Sequence, residues 1–223
     1  MNKFVMFMVV FLMSLTSFGA QFVEGKDYVV LSIATGVVED RQQGSVLEFF
    51  SFGCPWCYRL EPALSRWAKN HEANIHFQKV PVVFNKDWEY YARAFYVAEA
   101  LSLNSKLDPA LFQAILKDKR SLASNQAMIS FFIEKGVDPA LVKSAFEHST
   151  SIDMAVKEGQ ALMASDHITA VPALVVNHRF KTDLQMAKTE ERLLLILDFL
   201  LENSHYASEI PGFSRLKIPV LKS

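Results

Sequence analysis

The two cysteines of the chain stand as Cys54-Pro55-Trp56-Cys57. Thiols spaced by two residues can close a disulfide with each other and exchange it with other thiols, provided one is held as thiolate. The flanking residues supply that condition. Ser45 to Phe52 (SVLEFFSF) follows a Gln42-Gln43-Gly44 turn and reads as a strand covered on both faces. Pro55 suits the first position of a helix, and Cys57, Leu60, Leu64, Trp67 and Ala68 recur on one helical face. Cys54 then sits at the positive end of the helix dipole, beside unpaired backbone N–H groups that favour thiolate over thiol. It is the nucleophile and the good leaving group. Cys57, one turn inside, is placed to attack a mixed disulfide and release the partner.

Three other readings of the pair are weaker. A structural disulfide across two residues closes too small a loop to remove much unfolded-state entropy. Structural zinc normally takes four ligands, and the histidines at 71, 76, 148, 167, 178 and 205 offer no second paired motif, so no metal is expected. Inert buried thiols do not suit a helix start.

Two further positions bear on this chemistry. Period-two alternation puts Glu48 on the same strand face as Val46 and Phe50, six residues ahead of Cys54. A carboxyl buried there has a raised pKa and could relay the proton of Cys57, with Lys79 on the next β-rich segment offsetting its charge. The alternative is a solvated strand residue. Pro172 follows Val171, and an X-Pro bond adopts a cis turn at little cost; the alternative is a trans proline opening a strand.

The elements around these residues form a recognisable order. Ser45–Phe52, the cysteine helix with Pro62 inside it as a kink, and Ile75–Val83 make a βαβ unit. From about Asn85 to Asp166 the signals are helical only. Trp88, Tyr90, Tyr91, Phe95 and Tyr96 read as the core of this region. Asp108-Pro109 and Asp138-Pro139 each read as a capping carboxylate followed by proline at a helix start, and Ser124 caps a run that ends at Gly136. Another helix covers Ser151 to about Ser165. Strands return at Val171–Val176 and Arg179–Phe180 around an Asn177-His178 hairpin turn, and a helix over about 187–203 closes the order. The expectation is an α/β chain: βαβ, then helices, then ββα, a mixed central sheet interrupted by a helical domain. The sheet domain takes residues 20–85 and 167–203, the insert 86–166, and an irregular tail 204–223.

The chain has 223 residues, 51% of them apolar, with 23 basic and 24 acidic side chains. This excludes a disordered, collagen-like or disulfide-rich miniprotein, and the near-neutral charge gives no reason to expect nucleic acid. Lys3 followed by the apolar run Phe4–Leu15, then small residues at Ser17 and Gly19, reads as an export signal spanning 1–19 and cleaved after Gly19. Twelve residues are too few for a membrane span, which needs about 20. The mature protein is expected in an oxidising, extracytoplasmic compartment.

Val46 to Tyr58 (VLEFFSFGCPWCY) resembles the active-site region of the DsbA family of periplasmic thiol–disulfide oxidases. Gln21–Tyr28 resembles the start of the mature proteins in that family, and Val171-Pro172-Ala173 with Val175-Val176-Asn177 its cis-proline loop and following strand. The likeness spans about residues 20–203. Trp56, where the best-known members carry histidine, and the extended tail depart from it. The resemblance implies a thioredoxin fold and a disulfide donated to reduced exported polypeptides. It also implies reoxidation by a DsbB-type membrane quinone reductase in the periplasm. A monomeric oxidase with no cofactor is the expectation. The resemblance further implies that Val171 presents its backbone to substrate opposite the cysteines, and that Glu48 and Lys79 match a buried acid and lysine. Pro55 and Trp56 lie in the first helical turn close to the Cys54 sulfur and are expected to tune it from there. Two other functions compete. An isomerase would carry a dimerisation domain ahead of the fold, for which about 25 residues between Gly19 and Ser45 are too few. A redox-inactive chaperone or binding module would not need both cysteines.

Overall fold

The structure is a computed structural model that describes residues 22–31 and 44–206. The export signal at 1–19 and the tail beyond 206 lie outside the described residues.

Among these residues, five strands form one sheet in the order β1 (Val29–Val30), β5 (Phe180–Asp183), β4 (Ala173–Val176), β2 (Gly44–Phe50), β3 (Ile75–Pro81). Strands β2 and β3 run parallel, with Glu48 facing Lys79 in the register. Their crossover is α1 (Pro55–His71), which continues through Pro62. The remaining neighbours are antiparallel, so the sheet is mixed. The tight β4–β5 turn has Asn177 and His178 at φ +50° and +48°, the left-handed region that Asn tolerates well.

Between β3 and β4 lie α2 (Lys86–Ala100), α3 (Asn104–Phe112), a π-helical turn (Gln113–Lys117), α4 (Asn125–Glu134), α5 (Pro139–His148) and α6 (Thr150–Ser165). The expected helical region is thus present. After β5 come α7 (Leu184–Ala187) and α8 (Glu190–Tyr206).

Strand alternation divides the core. Val46, Leu174 and Val176 pack against Leu60, Leu64 and Trp67 of α1 and Leu193, Ile196, Leu197 and Leu200 of α8. Leu47, Phe49, Val80 and Val175 pack on the opposite face, with Leu162 and Met163 of α6 against them. A third cluster joins Phe50, Phe52, Cys54 and Cys57 to Phe95, Leu111, Phe112 and the rest of the inserted helices. The rings of Phe50 and Phe95 meet edge-on at 5.3 Å, and those of Phe52 and Phe112 at 4.9 Å. The inserted helices therefore roof the cysteine pair.

Several boundaries differ from expectation. Asp138 caps α5, accepting from the N–H groups of Ala140 and Leu141. Asp108-Pro109, in contrast, does not start a helix. It lies inside α3, where Asp108 turns inward toward Lys79 and Asn104. The carbonyl whose bond Pro109 forfeits belongs to Ser105, an exposed residue. The last helix is two helices, broken at Lys188 (φ +72°), with Thr189 Oγ1 accepting from Arg192 N–H. It also runs to Tyr206, so the first three residues assigned to the tail are helical. Strand β1 is two residues long and has no periodicity to reveal it.

Candidate active site

The turn from β2 into α1 is held by Ser51. Its Oγ accepts from Gly53 N–H at 3.1 Å, and its carbonyl accepts from Cys54 N–H at 3.0 Å. Glycine at 53 lets the turn pack directly on the Trp88 indole, since a Cβ there would stand 2.4 Å from its Nε1 and push the ring aside. Cys54 is the N-cap of α1, in extended conformation, and its Sγ accepts from Cys57 N–H at 3.2 Å. Both cysteines are free thiols. Cys54 is 4% exposed and Cys57 0%, so the first reaches the surface and the second does not.

These surroundings separate the two thiols. A hydrogen bond from the Cys57 thiol, helped by the backbone N–H groups of Cys57 and Trp56, outweighs burial and lowers the pKa of Cys54. Burial, followed by that same bond and the nearby negative charges, pushes Cys57 well up. One sulfur is set up as a stable thiolate and the other as a held thiol.

The Val171–Pro172 bond is cis, and the Val171 carbonyl oxygen lies 3.5 Å from Cys54 Sγ. The cis turn thus faces Cys54. Beside it runs a groove of about 300 Å³ lined in part by Trp56, Arg59, Val171, Pro172, Leu184 and Lys188. Pro55 is exposed at the first helical position, and Trp56 is 57% exposed, with the Arg59 guanidinium 5.4 Å from its ring. Arg59 Nε also donates to Glu190 Oε1 at 2.7 Å, tying α1 to α8.

Behind the cysteines lies a buried charge cluster. Glu48 is 1% exposed, which removes the solvated alternative, and its Oε1 has no hydrogen-bond partner. Burial pushes its pKa up to about 8. Lys79 opposes this shift, while Glu61, Asp108 and Cys54 add to it. Lys79 Nζ lies 2.8 Å from Glu61 Oε2 and 3.5 Å from Asp108 Oδ2, over the Phe50 ring at 4.5 Å. Burial works against its charge, but Glu48, Glu61 and Asp108 together hold the ammonium firmly protonated. Asp108 is pushed up to about 6, chiefly by burial.

The structure thus brings Cys54, Trp56 and Val171 together at the surface, with Cys57 and Pro172 buried against them and Glu48 and Lys79 beneath. Sequence reasoning missed Glu61 and Asp108. Glu61 follows Cys57 by four residues, so helical spacing puts both on one face; Asp108 was hidden by its resemblance to a cap. Among the described residues, no group of three or more His, Cys, Asp or Glu side chains could hold a metal ion. No helix there is long and apolar enough to cross a membrane.

Comparison with known proteins agrees with this geometry. Residues 45–194 match the family model of the DSBA-like thioredoxin domain. The chain is 34% identical over 178 residues to the thiol:disulfide interchange protein DsbA of Burkholderia cepacia, covering 80% of this chain and 84% of that one. It is 31% identical over 185 residues to DsbA of Pseudomonas aeruginosa, covering 83% of this chain and 87% of that protein. The crystal structure of Pseudomonas aeruginosa DsbA superposes with a TM-score of 0.79 at 30% identity, covering 85% of this chain and 97% of that one. The chain belongs to the DsbA-like thioredoxin family and is a thiol:disulfide oxidoreductase.

Proposed function

We propose that this chain introduces disulfides into reduced polypeptides exported to the periplasm, through the Cys54–Cys57 couple. The observation that carries the reading is the asymmetry of the pair: Cys54 caps a helix with a lowered pKa, and Cys57 is buried with a raised one.

In the oxidised enzyme a substrate thiolate attacks Cys54 Sγ. A substrate–Cys54 bond forms, the Cys54–Cys57 bond breaks, and Cys57 leaves with the electron pair. The leaving sulfur takes a proton, for which buried Glu48 is the donor, and Lys79 balances the carboxylate that remains. A second substrate thiolate then attacks the substrate sulfur of the mixed disulfide and expels Cys54 as thiolate. The substrate loses two electrons and the enzyme gains them. Because the Cys57 thiol and the helix N-terminus stabilise that thiolate, the reduced enzyme is favoured and its disulfide is an oxidant.

Val171 and Pro172 are read as the substrate's backbone-binding turn, since the Val171 carbonyl lies beside Cys54 Sγ. Pro55 and Trp56 tune the thiol from the first helical turn. Reoxidation falls to a DsbB-type membrane quinone reductase, the enzyme works as a monomer, and export involves cleavage after Gly19. The sheet domain (20–85 and 167–203) carries the chemistry, and the insert (86–166) covers it.

The test is oxidation of a reduced, unfolded protein by the oxidised enzyme, alongside repair of a scrambled one. Stoichiometric disulfide transfer that Cys54→Ala abolishes supports the reading. Repair outpacing oxidation would favour an isomerase, and no transfer would favour a redox-inactive binding module.

A further inference from the structure

A second cleft, of about 370 Å³, opens on the other side of the cysteine turn, lined by Pro55, Tyr58, Arg59, Leu116, Lys117 and Lys119. Its charge distinguishes it from the groove along the cis-proline loop. That groove contains Asp183 and Glu190 as well as Arg59 and Lys188, so its charges balance. The second cleft has three cationic side chains and no acidic one.

The backbone creates this imbalance. The π-helical turn Gln113–Lys117 ends with Asp118 N–H donating to the Gln113 carbonyl at 3.0 Å and Arg120 N–H to that of Ala114 at 2.9 Å. The widened turn lays Lys117 Nζ over the Tyr58 ring at 5.1 Å. Lys119 adopts the left-handed φ of +54° and lines the cleft together with Pro55. Asp118 lies between the two lysines in sequence, but its Oδ1 accepts from Gln113 Nε2 at 3.0 Å and it does not line the cleft. Arg59 is occupied by Glu190 and Arg120 by Glu134, whereas Lys117 and Lys119 form no ion pair among the described residues. π-Turns occur often at functional sites, and here one delivers the exposed cation of Lys117 to Tyr58, the residue after Cys57.

We propose that this cleft receives acidic side chains of the polypeptide whose thiol reacts at Cys54, so that the enzyme prefers cysteines with a neighbouring carboxylate. This rests on the thiol–disulfide exchange proposed above. Pro55, Tyr58 and Leu116 provide an apolar floor for the side-chain stem, and Lys117 and Lys119 provide the charge. The cations face a solvated cleft, so the preference is modest and weakened by salt.

The experiment uses two-cysteine peptides that differ only in carrying Glu, Gln or Lys beside the reacting cysteine, on either side in turn. The readout is the ratio of kcat/KM for the Glu and Gln peptides, divided by the ratio of their rates with oxidised glutathione, which cancels the difference in intrinsic thiol reactivity between the peptides. At low salt the ratio is expected to be about threefold on one side of the cysteine, with the Lys peptide slowest. It should fall toward unity at high salt and in a Lys117→Gln/Lys119→Gln double variant. Equal rates for Glu and Gln peptides on both sides would overturn the proposal, as would a ratio that survives in the double variant. If the oxidised enzyme instead oxidises neither the peptides nor dithiothreitol, the exchange reading itself fails, and the two failures are distinguishable.

Discussion

Asp108 of α3 reaches to within 3.5 Å of Lys79 Nζ on β3, so a carboxylate from the inserted helices joins the charge cluster under the cysteines. Lys79 thereby answers to Glu61 and Asp108 as well as to Glu48 across the strand pair. With the ammonium shared, Glu48 keeps its proton to a higher pH than one dedicated counter-ion would allow.

Asp108→Asn removes a negative charge that raises the Glu48 pKa. The Glu48 titration is expected to move below its value of about 8, and the step near 6 belonging to Asp108 to vanish. Carboxyl carbon NMR of the reduced protein measures both. An unmoved Glu48 midpoint would remove Asp108 from the cluster's electrostatics.

Glu48→Gln is expected to slow the steps in which Cys57 leaves or attacks, formation of the mixed disulfide and its release by Cys57, near neutral pH, and to erase a rate inflection near pH 8. It also makes a stability claim. Because the folded pKa is raised from 4.5 to about 8, the proton-linked stability is complete below about pH 4.5 and lost as pH rises through about 8. Wild type should therefore lose stability relative to the variant over that window, as read by denaturation midpoints. Parallel pH curves for the two proteins would refute the burial argument.

Cys57→Ser should trap mixed disulfides through Cys54, because only Cys54 occupies the helix start and only it reaches the surface. Mass spectrometry of adducts with a reduced peptide is decisive. Adducts that form only when Cys54 is the substituted residue would reverse the assignment.

Trp56→His places an ionisable ring in the first turn beside the Cys54 sulfur. Protonated, it adds positive charge near the thiolate, where indole offers only a neutral donor. The Cys54 pKa should fall further and the reduction potential rise, by about 30 mV for roughly 1.4 kcal/mol of added thiolate stabilisation. Redox titration of both proteins against glutathione tests this, and a potential that falls or stays put would contradict it.

Much of this was legible in the sequence, because the signals were local. The apolar run into Gly53-Cys54-Pro55 announces a buried strand entering a helix, and Asn177-His178 announces a hairpin. What escaped depends on contacts between distant segments. Strand β1 exists through its pairing with β5. Asp108 has the local form of a cap, but the buried ammonium of Lys79 draws it into the core. The π-turn before Asp118 leaves no recognisable residue pattern, yet it shapes the cleft beside Pro55.

The central claim is that the Cys57 thiol and the backbone N–H groups of the helix start together make Cys54 a stable thiolate, and the Cys54–Cys57 disulfide therefore an oxidant. The most direct measurement is the reduction potential of that couple at neutral pH, by equilibration with glutathione buffers. The account predicts a potential above about −200 mV, so that the protein withdraws electrons from ordinary dithiols. A potential near about −270 mV, the level of a thioredoxin-like reductant, would contradict it.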